Sequence, residues 1–133
     1  MKKLELADNK IESIENISFL TKLELLNVDG NNISKISGLE SLTSLESLNL
    51  TKNNLKVIDG GLKSQENSLK EIWLYDTQIS EWSSIKYLGK TLKACSILHI
   101  IGLDPREKRN PICHEADFEN KVKNEFEMLE KLT

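Results

Sequence analysis

Three groups of residues in this chain could do chemistry by type. Cys113-His114-Glu115 sets a thiol, an imidazole and a carboxylate side by side, the ingredients of a thiolate or metal site. One short segment cannot close a coordination shell, and the spacing fits no established ligand pattern. These therefore read as ordinary cap and loop residues, and no metal is expected. Asp8, Asp29 and Asp76 are carboxylates that return at similar points of a repeating pattern, and carboxylates in pairs can do acid–base work. Their return with the period assigns them to scaffold or surface instead. Gly60-Gly61 could suggest a phosphate loop, but neither G-x-G-x-x-G nor G-x-x-x-x-G-K-S/T surrounds it. No catalytic residue and no cofactor is expected, and the chain reads as a non-enzyme.

What remains is chemistry of contact. Glu71, Trp73 and Tyr75 alternate in the stretch Lys70-Glu-Ile-Trp-Leu-Tyr75, so an extended segment would point all of them to one side. The element that must do this recurs along the chain. Leu4, Leu26, Leu48 and Ile72 begin four copies of the pattern L-x-L-x-x-N-x-I/L, the fourth with Thr77 in place of the asparagine, at intervals of 22, 22 and 24 residues. A period in this range is the mark of leucine-rich repeats. The predicted fold class is α/β: a leucine-rich-repeat solenoid with parallel strands on the concave face. Short 3₁₀ or helical turns lie on the convex face, and a helical cap closes the C-terminal end. In Leu4-Glu5-Leu6 the leucines point inward and Glu5 outward. Asn9, Asn31 and Asn53 recur where the chain leaves the strand, and an amide there can satisfy turn backbone. Ile11, Ile14, Ile17, Leu20 and Leu23 then follow at steps of three, as single helical turns require.

The pattern defines one domain over residues 1–133. Repeats run over about 4–25, 26–47, 48–71 and 72–94, with a degenerate one over 95–109 and the cap over 110–133. Between Leu92 and Asn110 two registers fit equally, one using Leu92, Cys95 and Ile97, the other Cys95, Leu98 and Ile100. The segment DGGLKSQENSLK is longer and more polar than its equivalents, which predicts a bulge read as a plain surface loop. Trp82 falls in period with Ile14, Ile36 and Ile58 and reads as structural. Phe118, Val122, Phe126, Leu129 and Leu132 mark one face of a closing helix. Nothing comparable precedes Leu4, so the uncapped first repeat should be exposed and is a candidate surface for self-association.

Outward strand residues fall into columns, and these predict the partner-binding face: Glu5, Asn27, Asn49 and Trp73 in the centre, with Asp29, Tyr75 and Glu71 beside them. Tryptophan and tyrosine are favoured anchors of interfaces. The alternative for Trp73 is cover by the next repeat or by the connection at residues 102–110. A net charge of −3 argues against direct nucleic-acid or membrane contact. No apolar run could cross a bilayer, and no leader is visible, so cytoplasm or nucleus is expected. Cys95 and Cys113 make no disulfide framework.

The stretches SLKEIWLYDTQISEWSSIKYL and NPICHEADFENKV, with the repeats, resemble the leucine-rich-repeat regulatory subunits of protein phosphatase 1. The likeness lies in a Glu-x-Trp strand followed by a second tryptophan, and it implies a shortened member that binds the phosphatase catalytic subunit through its concave face. The family's interface glutamate and tryptophan then map onto Glu71 and Trp73. The generic repeat is also similar to tubulin-folding cofactors, an axonemal dynein light chain and the small nuclear ribonucleoprotein A′ subunit. An adaptor for a tubulin, motor or spliceosomal protein is thus the alternative.

Overall fold

The computed structural model describes residues 1–102 and 110–133. Among the described residues six short strands form one parallel sheet in chain order: β1 (Lys3–Glu5), β2 (Leu25–Asn27), β3 (Ser47–Asn49), β4 (Glu71–Trp73), β5 (Ile97–His99) and β6 (Lys131–Leu132). Leu4, Leu26, Leu48, Ile72, Leu98 and Leu132 are register partners from strand to strand. This settles the ambiguous stretch: Cys95, Leu98 and Ile100 continue the motif. Strand-to-strand continuity is unbroken at the entry edge, where one carbonyl per repeat accepts two amides from the next. Glu24 O takes Glu46 and Ser47, Glu46 O takes Lys70 and Glu71, Lys70 O takes Ser96 and Ile97, and Ser96 O takes Glu130 and Lys131.

Inward residues build a single continuous core. Leu23, Leu26, Val28, Ile33, Leu39, Leu42 and Leu45 are fully buried, as are Leu48, Leu50, Leu55, Leu62, Leu69 and Ile72. Each such side chain contributes about 1.5–3 kcal/mol of burial. On the opposite side the first two repeats make single i→i+3 turns, such as Leu20 N to Ile17 O and Leu42 N to Leu39 O. The fourth makes a full helix, α1 (Trp82–Thr91). The arrangement is an α/β fold with a parallel sheet and alternating short helices.

Glycine is demanded where repeats touch. Gly38 and Gly61 have φ of +78° and +89°, and a Cβ there would come within 2.1 and 2.2 Å of the carbonyl oxygens of Ile14 and Ile36. Asp8, Gly30, Lys52 and Asp76 share the other left-handed position, just past the strand. Asp8 and Asp76 are thus turn residues, while Asp29 sits one place earlier in the repeat.

Two expectations are corrected. The long segment at 59–70 is no plain surface loop. It forms a 3₁₀ turn (Lys63–Gln65) whose Gln65 is fully buried and donates from Nε2 to Leu39 O and Leu42 O of the preceding repeat. The closing helix is also short. A 3₁₀ turn (Pro111–His114) leads to α2 (Phe118–Glu125), and Phe126 is already extended. Leu129 and Leu132 pack on the core from outside any helix, and the chain leaves to pair as β6. Helix propensity in NEFEMLEKL yields there to the open edge of β5, which offers a ladder of backbone partners. The charged connection expected within 102–110 falls at residues 103–109, outside the described residues.

Candidate functional site

Strand register brings the predicted columns together. Glu5, Asn27, Asn49, Trp73 and His99 are successive partners across the sheet. Asn27 Nδ2 donates to Glu5 Oε2 at 2.7 Å, and Asn27 Oδ1 and Asn49 Oδ1 accept from the amides of Asp29 and Thr51. The central column of this half is polar and internally hydrogen-bonded. Burial raises the Asp29 carboxyl above the usual carboxylate range, with Lys52 opposing and Asp8 adding to the shift.

The other half is aromatic. Trp73 and Tyr75 are half-buried, and Trp73 stacks on His99 with ring centroids 4.5 Å apart and planes 11° from parallel. Tyr75 meets the same imidazole edge-on at 5.8 Å. Glu71 Oε2 lies 3.2 Å from His99 Nε2, while the Tyr75 hydroxyl is 3.2 Å from His99 Nδ1 and 2.7 Å from Thr133 Oγ1. Trp73 stands on the strand face, and His99 of the next repeat covers part of it. Sequence reading missed His99 and Thr133, since the register of β5 and the existence of β6 were hidden. Trp82 is half-buried at the start of α1, edge-on to Phe118 at 6.3 Å, so it joins α1 to α2 rather than filling the centre of the stack.

The remaining candidates for chemistry disperse. Cys113 is buried and turns its thiol to Ile100 O, whereas His114 and Glu115 are exposed. Cys95 is buried, and burial pushes its thiol up to about 11. Among the described residues no three His, Cys, Asp or Glu side chains gather to hold a metal. No described helix is long and apolar enough to cross a membrane.

A leucine rich repeat family profile matches residues 1–55. Nothing among curated protein sequences matches the chain. Among solved structures the fold is similar to a chain of the Drosophila melanogaster SNF/U2A′ complex, with a TM-score of 0.83 at 23% identity, covering 98% of this chain and 71% of that one. An internalin (InlF) from Listeria monocytogenes is also similar, with a TM-score of 0.57 at 30% identity over 82% of this chain and 32% of that one. The profile shows leucine rich repeats over residues 1–55, and the structural likeness shows the fold.

They overturn the phosphatase expectation. The likeness that spans nearly the whole chain is to a chain of the SNF/U2A′ complex, not to a regulatory subunit of protein phosphatase 1, and with that identity goes the phosphatase catalytic subunit as partner. The geometry supplies the physical reason. The Glu71-x-Trp73 pair that carried the resemblance is engaged within the chain, Glu71 in a hydrogen bond to His99 and Trp73 in a stack upon it. Its spacing therefore does not single out a phosphatase partner.

Proposed function

We propose that the chain is a leucine-rich-repeat solenoid, closed at its C-terminal end by α1, α2 and β6, that acts as a non-enzymatic adaptor. It binds a protein partner on the concave strand face through Trp73, Tyr75 and Glu71, with Asn49, Asn27, Glu5 and Asp29 completing the polar half. The observation that carries this reading is the half-buried Trp73 beside Tyr75 on a sheet face whose central column is otherwise polar, Glu5, Asn27, Asn49 and His99. Large aromatics so placed are typical binding hot spots. The fold likeness to a chain of the SNF/U2A′ complex supports a partner of the spliceosomal class.

Calorimetric titration of the chain with SNF tests the reading, with Trp73→Ala beside it. The expected outcome is a one-to-one complex weakened by about 2 kcal/mol or more in the variant, roughly 30-fold in Kd. A complex indifferent to Trp73→Ala would move the contact off this face, and no complex would remove SNF as the partner.

A further inference from the structure

We infer that His99 is the positioning residue of this face and that Thr133, next to β6, belongs to the binding device. The functional meaning of the inference rests on the strand-face reading above, while its structural content stands alone. His99 follows Trp73 in the central column, where the first repeats carry Glu5, Asn27 and Asn49. The asparagines steady themselves on the amide two residues ahead. An indole carries no acceptor and only one donor, so Trp73 needs a neighbour to fix it. His99 supplies that neighbour by lying flat against the ring.

The imidazole is itself pinned at both nitrogens. With the proton on Nε2, it donates to Glu71 Oε2, Nδ1 accepts from the Thr133 hydroxyl, and Thr133 Oγ1 accepts from the Tyr75 hydroxyl. Every polar atom of the chain of contacts is satisfied in this assignment. Thr133 is in turn held by its backbone. Its amide donates to Leu98 O at 2.9 Å, and its carbonyl accepts from Ile100 at 2.7 Å and Ile101 at 2.8 Å. Pairing of the last strand therefore orders Thr133, Thr133 orders His99, and His99 orders the Trp73 ring. A ring set in place beforehand loses less freedom when a partner arrives.

The test is time-resolved fluorescence anisotropy of Trp73 in the full chain carrying Trp82→Phe, followed by titration with SNF. In this parent the indole should follow the tumbling of the whole molecule. His99→Asn, which restores the residue type of the column, should add a nanosecond component and weaken SNF about tenfold. Thr133→Val keeps the backbone bonds and should act in the same direction with smaller size. Unchanged anisotropy in both variants overturns the inference, whatever happens to Tm, because a merely structural histidine would lower Tm without freeing the ring. If His99→Asn does not fold, Thr133→Val decides alone. A parent that ignores SNF counts against the proposed partner, and the anisotropy still decides the positioning role.

Discussion

Asn110 carries more of this fold than its place in an irregular stretch suggests. In the regular repeats a single asparagine stitches two turns together. Asn31 donates to Leu6 O and Val28 O and accepts from Ile11 N, and Asn53 donates to Val28 O and Leu50 O and accepts from Ile33 N. Asn110 repeats this pattern on the fifth turn. It donates to Leu74 O and Ile100 O and accepts from the amides of Thr77 and Ile79 and from the Thr77 hydroxyl. It lies ten residues past Ile100 where Asn53 lies three past Leu50, so the fifth turn holds an insertion of seven residues. Buried groups left without partners cost roughly 1–3 kcal/mol each. Asn110→Ala should therefore lose about 3–5 kcal/mol by urea denaturation. Asn9, exposed and bonded only to its own turn, should lose less than about 1 kcal/mol.

Cys95 gives a residue-scale dependence on pH. Its thiol stands near 11 in the fold against 9.0 when exposed, and burial is the main cause. Above pH 9 the unfolded chain therefore gives up this proton while the folded chain keeps it. Stability should fall as pH climbs from about 9 to 11, by roughly 2–3 kcal/mol in total. Chemical denaturation across that range would show the slope, and Cys95→Ala should flatten it. An identical slope in the variant would assign the effect to other groups.

At the scale of elements, close approach decides which changes are tolerated. A Cβ on Gly89 of α1 would sit 2.3 Å from Glu125 O, at the end of α2. Gly89→Ala must push the two helices apart, and overpacking of this kind costs about 1–3 kcal/mol. Gly38→Ala combines a left-handed backbone with a clash against Ile14 O, so it should cost more than about 2 kcal/mol. Thermal melts of both variants check this. A neutral Gly38→Ala would mean that neighbouring repeats slide past one another freely. The first four turns were legible because spacing alone places their leucines. The fifth was not, because its asparagine is displaced by the insertion and nothing local marks Asn110 as its replacement. The end of α2 was hidden for another reason. Phe118, Val122 and Phe126 keep helical spacing through Leu129, and only the waiting edge of β5 turns the chain into a strand. The aromatic half of the site was read as two residues, Trp73 and Tyr75. Their organiser, His99, became visible only once β5 had a register.

At the scale of the whole molecule, stability in a stack of repeats is a sum over neighbours, and the ends are the weakest terms. Leu4, Leu6, Ile11, Ile17 and Leu20 of the first turn are only half-buried, whereas their equivalents Leu26, Val28, Ile33, Leu39 and Leu42 are fully buried. Between these half-buried residues lies an open apolar groove of about 140 Å³ lined by Leu6, Ile11, Ile14 and Ile17. The other end of the sheet is different, since α2 packs on α1 and β6 pairs with β5. Opening should then begin at β1 and travel inward. Amide hydrogen exchange gives the measurement. The amides of Leu6 and Asp8, bonded to the carbonyls of Asn27 and Asp29, should exchange at least tenfold faster than those of Leu50 and Leu74, bonded to Trp73 and His99. That ratio corresponds to about 1.4 kcal/mol in local opening free energy. Uniform protection from β1 to β5 would show a molecule that opens only as a unit. Trp73 would then owe its fixed pose to the cooperativity of the whole stack as much as to His99.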